Sequence, residues 1–246
     1  MHIKHFSLFS LVFVASTLLC LESSRLATVF KASRRLSGFA IDSRYYIYLE
    51  SSRNSVTEVP SAQIQIIDVA TNSCVRNGCL ETEYDRSSSS LSNQAAENDL
   101  LRRTLPLRQT LKLSQLKVGI PLSIISRSTN SDGIETVRVR LTSQTEPLQI
   151  RLQQRYIPSL VSGGSSDVER AAMRLVINYN NRQLTIGDLN NYRDSVKKYS
   201  IREVRLSPNR RNVVVLIDQT QPTYEGVLQT TFVQSFPIQT QSTNSR

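Results

Sequence analysis

Residues 137–141 have the sequence VRVRL, and residues 148–152 have the sequence LQIRL. In both segments apolar and polar residues alternate strictly, which is the pattern of a β-strand with one buried side and one solvent-facing side. A polar stretch ending at Pro147 separates them, so we expect the two strands to pair. The pairing turns six apolar side chains inward: Val137, Val139, Leu141, Leu148, Ile150 and Leu152.

The outward side of this strand pair carries Arg138, Arg140 and Arg151 beside Gln149. Three guanidinium groups on one sheet face favour binding of the sulfate, phosphate or carboxylate groups of a polymer. Arginine on the water-facing side of a strand is also typical of an ordinary solvated surface. The three arginines are therefore a candidate anion-binding face, with the solvated surface as the alternative.

Other segments also predict β structure. Strands are expected over residues 45–50 and 63–69, which are rich in β-branched and aromatic residues or alternate in polarity. Residues 175–177 and 183–186 flank an Asn-Asn pair and predict a hairpin. Residues 213–217 are five consecutive apolar residues, mostly β-branched, and predict a central strand covered on both faces.

Helical patterns are few. Residues 82–93 include four consecutive serines and predict a flexible loop. Apolar residues at helical spacing predict a short helix that ends at Pro106, and residues 107–125 are assigned to β structure. A second short helix is expected over residues 188–199, with Asp188 as its N-cap. We predict a mainly β, single domain over residues 24–246, with antiparallel sheets in a sandwich or small propeller-like arrangement, one or two short helices and a disordered tail at 238–246.

The N-terminus has the layout of a secretory signal peptide. Lys4 precedes an uncharged, mostly apolar stretch from residue 6 to residue 21, and Glu22 restores charge. We expect residues 1–23 to be removed, because scattered serines make the stretch too weakly apolar for the ~20-residue span of a retained anchor, the alternative. Lipid attachment at Cys20 is disfavoured because Leu19, rather than a small residue, precedes it.

Removal of this segment limits the chemistry of the mature protein. The two histidines, His2 and His5, both lie in it, so serine-histidine and cysteine-histidine nucleophiles and imidazole metal sites are excluded. Cys74 and Cys79 remain, and two thiols are too few for a structural zinc site. We expect no cofactor and no metal.

The net charge of +10 predicts a basic surface. In a secreted or periplasmic protein such a surface meets anionic lipids, acidic glycans or cell-wall polymers, so we do not expect nucleic acid as the partner. The alternative is that the charge only keeps the protein soluble.

Cys74 and Cys79 enclose the sequence Val-Arg-Asn-Gly, which ends in a turn signal. In an oxidising compartment we expect a disulfide at the end of a hairpin. A catalytic redox pair usually has two intervening residues rather than four, which favours a structural role.

The sequence contains an internal similarity. Residues 38–48, GFAIDSRYYIY, align with residues 205–215, RLSPNRRNVVV; each has an apolar residue, a polar turn with Asp or Asn, an arginine and a strand. The turn resembles the strand-joining turn in blades of TolB-like β-propellers, although two such units do not make a propeller.

The order of both units, with residues 64–69 after the first and QPTYEG at 221–226 after the second, resembles the predicted secreted bacterial proteins of domain of unknown function 2259. The likeness is strongest at residues 38–69 and 204–236 and departs from the family pattern at Ile41 and Ser43, where that pattern has proline and glycine. It implies export and a β-rich fold, and it supplies no activity, ligand or catalytic residue.

Three functions remain open. The first is a non-enzymatic envelope or periplasmic module that binds an anionic envelope polymer or another envelope protein. The second is a carboxylate-dependent hydrolase of an envelope polymer, with Asp42, Asp68, Asp218 and Glu225 as candidates, of which the first two are expected in turns. The third is a structural scaffold.

Overall fold

The structure is a computed structural model, and it describes residues 28–54, 56–82, 84–141, 146–158 and 169–238. Within these ranges the strands are β1 Thr28–Lys31, β2 Ser33–Phe39, β3 Tyr45–Arg53, β4 Pro60–Asp68, β5 Ser73–Glu81, β6 Ile120–Pro121, β7 Ile124–Thr129, β8 Glu135–Val139, β9 Leu148–Ile157, β10 Arg170–Tyr179, β11 Arg182–Gly187, β12 Arg193–Asp194, β13 Lys198–Leu206, β14 Asn212–Thr223 and β15 Gly226–Pro237. The helices are α1 Asn93–Arg103 and α2 Leu105–Thr110, with a 3-10 helix at Arg86–Ser90.

The strands form three sheets. The N-terminal sheet has the order β2-β3-β4-β5, the central sheet β1-β15-β14-β13-β6, and the outer sheet β11-β10-β9-β8-β7 with β12 paired to β10. The strand pairs are antiparallel except β1 with β15. The predicted mainly β class, with antiparallel sheets and two short helices, is confirmed.

The apolar run at 213–217 lies in β14, in the middle of the molecule, as predicted. Val213, Val215 and Ile217 pack toward the outer sheet. Val214 and Leu216 pack toward the N-terminal sheet, against Tyr46, Tyr48 and other side chains. Because its alternate side chains lie in two core clusters, this strand joins the two halves of the core. Each fully buried aliphatic side chain contributes about 1.5–3 kcal/mol to stability. The sheets therefore stack as in a sandwich, with a third layer added.

The helices cover the far face of the N-terminal sheet. Ala96 and Leu100 of α1 pack on Ile47, Leu49 and the neighbouring strands. The side chain of Ser92 accepts a hydrogen bond from the Ala95 N–H and caps the helix. The predicted β structure at 107–119 is wrong: Pro106 lies in the first turn of α2, where its missing N–H costs nothing, and a turn follows.

The internal similarity corresponds to two equivalent meanders, β2-β3-β4 and β13-β14-β15. In each first turn, the Asp or Asn side chain accepts the N–H of the arginine two residues later, at 3.0 and 3.1 Å. The intervening residues, Ser43 and Arg210, have positive φ angles of 62° and 57°. Glycine adopts this conformation most easily, which explains its place in the family pattern. The meanders also share a β-bulge, around Arg35 in one and Arg202 in the other.

Side chains of the N-terminal sheet close an open edge of the central sheet. β1 pairs with β15 only up to Gln229, which leaves the edge of the following residues without a strand. There the N–H groups of Thr231, Val233 and Ser235 donate to the side chains of Glu50, Gln65 and Asn72, respectively. Because buried backbone groups need partners, these polar side chains take the role of a neighbouring strand.

Three predictions concern other segments. The expected helix at 188–199 is wrong: residues 189–190 form a turn, and β12 and the start of β13 follow. The predicted serine-rich loop contains the 3-10 helix. The predicted signal peptide, residues 1–23, lies outside the described residues, as does the predicted tail from residue 239; Ile238 packs in the core. Within the described residues, no helix is long and apolar enough to cross a membrane.

Candidate anion-binding face

The strand pair predicted at 137–141 and 148–152 is formed by β8 and β9. Val137 lies opposite Ile150, and Val139 lies opposite Leu148. These four side chains are fully buried in the core between the outer and central sheets. The opposite, outward side of the outer sheet is therefore the side that presents the arginines.

The register brings two of the three predicted arginines close together. Arg138 lies opposite Gln149, and Arg151 is two residues further along β9 on the same face. Such diagonal neighbours are about 7–8 Å apart. Arg140 is exposed and lies just beyond the end of β8, so it stands apart from this ladder.

Two further arginines belong to the same face. Arg155 follows Arg151 by four residues on β9, and Arg174 of β10 lies opposite Gln153. Arg155 is detectable in the sequence by continuing the alternation beyond residue 152. Arg174 lies in a mostly apolar strand without strict alternation, so only the β9–β10 register assigns it to the face.

Neutral amides hold this surface in shape. Arg174 Nε donates to Gln153 Oε1 at 2.9 Å. Asn178 Nδ2 donates to Gln149 Oε1 at 3.2 Å, and Gln183 Nε2 donates to Asn178 Oδ1 at 3.1 Å. These bonds run across β9, β10 and β11 and already restrict the side chains that form them. A ligand that binds here therefore has a smaller loss of side-chain entropy to offset.

The predicted Asn-Asn hairpin supports the same side of the sheet. Asn180 and Asn181 join β10 to β11, and both have positive φ angles, 49° and 56°. Two consecutive left-handed residues are the requirement of a tight type I′ turn, which asparagine tolerates well. The turn fixes the register that brings Asn178 opposite Gln183.

The four arginines have no carboxylate partner. Among the described residues, Arg138, Arg151, Arg155 and Arg174 form no ion pair, and the outward strand positions of the outer sheet carry one carboxylate, Asp194 of β12, which pairs with Arg170 at 3.5 Å. Glu135 of β8 points inward, where its carboxylate pairs with Arg127 at 2.8 Å. This arrangement attracts anions and repels cations. We name the surface of these four arginines the arginine face.

The predicted carboxylates are not gathered into one cleft. Asp42 and Asp68 accept backbone N–H groups in turns, the role expected of them. Asp218 is paired with Arg202 at 3.2 Å, and Glu225 lies exposed in the β14–β15 turn. Among the described residues, no group of three or more His, Cys, Asp or Glu side chains is arranged to hold a metal ion.

A partly buried polar cluster was not predicted from the sequence. Arg202 donates to the Tyr48 hydroxyl at 2.8 Å and to the Thr231 hydroxyl at 2.9 Å, and Thr231 in turn donates to Glu50 at 2.6 Å. Burial raises the pKa of Asp218, although the Arg202 guanidinium opposes this shift. The cluster joins the N-terminal and central sheets, and its bonds are made within the protein, so it is structural.

The disulfide between Cys74 and Cys79 is confirmed, but its predicted place at a hairpin end is wrong. Cys79 lies opposite Gln65 and Cys74 opposite Ile67, so residues 75–78 bulge out of β5. The Asn-Gly signal serves this bulge, in which Asn77 has a φ of 60°. The turn that joins β4 to β5 lies earlier, at residues 69–72.

The chain was compared with family models, curated proteins and solved structures. A family model described as "Predicted secreted protein (DUF2259)" matches residues 52–234, from β3 into β15. No curated protein and no solved structure matches the chain.

Proposed function

The chain belongs to the DUF2259 family of predicted secreted proteins, and we propose that it is an exported, non-enzymatic binding protein of the cell envelope. Its ligand is an anionic envelope polymer, which binds through the arginine face. The observation that carries the proposal is the set of four arginines on one rigid sheet face, none of them paired with a carboxylate within the described residues.

The spacing of the arginines suits a repeating anion. Cross-strand and diagonal neighbours on a sheet are about 5–8 Å apart, so several anionic groups along one chain can each meet a guanidinium. An exposed charge pair contributes about 0.5–1 kcal/mol. Three such contacts give about 1.5–3 kcal/mol, or roughly 10–100-fold in affinity.

The test is binding to dextran sulfate, with uncharged dextran as the reference ligand. We expect saturable binding of dextran sulfate that weakens as salt rises, because salt screens exposed charges. The variant Arg138→Gln/Arg151→Gln/Arg174→Gln should lose roughly 10–100-fold in affinity.

A matched control removes the same charge elsewhere. The variant Arg76→Gln/Arg86→Gln/Arg211→Gln changes three exposed arginines outside the outer sheet. It should keep most of the affinity if the face is specific. Equal losses in the two triple variants would show that net charge alone drives binding, and the proposal would then be wrong.

Export through a signal peptide is a separate part of the proposal. It is supported by the charge and apolar pattern of residues 1–23 and by the family description. We expect the protein to be secreted or periplasmic. The intact mass of protein recovered from the envelope fraction should match cleavage near residues 17–23. A full-length mass would contradict cleavage and would return His2 and His5 to the mature chain.

A further inference from the structure

Three connected cavities form a groove where the three sheets meet. The middle cavity, of about 350 Å³, shares Ser52, Ser61 and Leu228 with a neighbour of about 440 Å³. On its other side it shares Cys74, Arg193 and Phe232 with a cavity of about 240 Å³. We name this surface the junction groove; it is distinct from the arginine face.

The junction groove is long and narrow. Its floor follows β15 from Leu228 to Gln234, a distance of about 20 Å at the rise of a β-strand. Beyond Leu228 it reaches Tyr224, whose side chain is 92% exposed in the β14–β15 turn. An extended chain molecule fits this shape better than a compact one.

Strand addition by a peptide does not suit the floor. A peptide would need free N–H and C=O groups along the edge of β15. Glu50, Gln65 and Asn72 already occupy the outward N–H groups of Thr231, Val233 and Ser235. The ligand must therefore bind to side chains.

The side chains along the groove have free hydrogen-bonding capacity. Gln219 and Gln221 of β14 and Thr230 of β15 are half-buried. Among the residues that the structure describes, their side chains form no hydrogen bond with another protein group. Each amide offers donors and an acceptor, and the hydroxyl offers both, so they suit a ligand that carries many hydroxyl groups.

The charges in the groove are mixed. Glu50 and Glu81 line the middle cavity together with Arg193. The Arg193 guanidinium lies 3.7 Å from the centre of the Phe232 ring. Glu50 is fully engaged with Thr231 and Gln63, which leaves Glu81 and Arg193 in the middle cavity. The two neighbouring cavities add one basic group, Arg53, and one acidic group, Asp188, so the charges along the groove balance. A polyanion gains nothing from this balance, in contrast to the arginine face.

We infer that the junction groove binds a neutral oligosaccharide. The amides, the hydroxyls and the Glu81 carboxylate bond its hydroxyl groups, and the exposed Tyr224 ring packs on the apolar face of a sugar ring. The Cys74–Cys79 disulfide forms part of the wall, so its reduction is expected to weaken binding.

The experiment titrates the mature protein with three neutral hexasaccharides: maltohexaose, cellohexaose and chitohexaose. Binding is followed by calorimetry. At least one should bind with saturation at a single site, and added salt should leave the affinity unchanged because no net charge is neutralised.

Two variants locate the site. Gln219→Ala/Gln221→Ala should weaken binding about tenfold, and Tyr224→Ala about fivefold. The matched control, Gln109→Ala/Gln115→Ala, changes two exposed glutamines outside the groove and should bind as the parent does. The arginine-face variant should also bind the sugar normally, which separates this inference from the proposed function.

Three results would overturn the inference. The first is the absence of saturable binding by all three hexasaccharides. The second is an equal loss in the groove variant and the glutamine control. The third is that dextran sulfate, and none of the neutral sugars, binds in the junction groove, which would mean that the groove takes an anionic ligand.

Discussion

Replacing Glu50 by alanine tests how the two meanders are joined. The Glu50 side chain is 1% exposed and accepts hydrogen bonds from the N–H and hydroxyl of Thr231 and from the amide of Gln63. The bond from the Thr231 N–H satisfies a backbone donor on the open edge of β15. In Glu50→Ala, the Thr231 N–H is buried without a partner.

The expected cost follows from these contacts. An unsatisfied buried donor costs about 1–3 kcal/mol. Glu50 also accepts the Thr231 hydroxyl and the Gln63 amide, and a hydrogen bond to a charged group contributes about 1.5–3 kcal/mol. Arg202 keeps its ion pair with Asp218, so the substitution leaves no charge unpaired. We expect the free energy of unfolding to fall by about 2–4 kcal/mol, which lowers the urea midpoint by about 1–2 M.

The assay is urea unfolding followed by circular dichroism and tyrosine fluorescence, whose coincidence checks two-state behaviour. Glu50→Gln keeps the shape and one acceptor, so its midpoint should lie between those of Glu50→Ala and the parent. Glu225→Ala removes an exposed carboxylate and should change stability by no more than about 0.5 kcal/mol. If Glu50→Ala were as stable as Glu225→Ala, side chains would not be closing the edge of β15.

Three further predictions concern ionisation and the disulfide. Burial raises the pKa of Asp218 above its ordinary value of 3.8, so the parent loses stability as the pH rises from 3.8 through the pKa of the folded protein. The variant Asp218→Asn lacks this loss, so its urea midpoint relative to that of the parent should rise over the same pH range. A fall in this relative midpoint would contradict the raised pKa of Asp218. Cys74→Ser/Cys79→Ser opens a six-residue ring and should cost about 2 kcal/mol without reductant, whereas dithiothreitol should lower the urea midpoint of the parent alone. Burial raises the pKa of Tyr199 to about 12, so its contribution to stability is lost between about pH 10 and 12. Burial also raises the pKa of Tyr46 and of Tyr48, so an ultraviolet titration should show several late-ionising phenols in the parent and one fewer in Tyr199→Phe.

The strands and their buried sides were predictable from the sequence where polarity alternates. Residues 137–139 and 148–152 lie in the predicted strand pair, which ends before residues 140–141, and 213–217 form the predicted central strand. The helix expected at 188–199 is wrong because its apolar spacing is met without a helix: Val196, between β12 and β13, and Tyr199 of β13 are buried in one core, whereas Leu189 lies in a turn. Over so few residues, apolar spacing alone does not distinguish a helix from a turn followed by strands.

The candidate sites were predictable only in part. Arg138 and Arg151 follow from alternation, whereas Arg174 joins them through the β9–β10 register. No local signal indicates the partner of Glu50, because Thr231 is 181 residues away in the chain.

The sequence by itself determined the β class, the inward and outward sides of the best strands, the disulfide pair and the equivalent turns of the two meanders. Each of these depends on neighbouring residues and on the twofold repeat of a strand. Only the tertiary structure decided which sheets stack, how polar side chains close the edge of β15 and where the junction groove lies. These features depend on contacts between segments far apart in the chain, and such contacts form only when the sheets bury their apolar faces against each other.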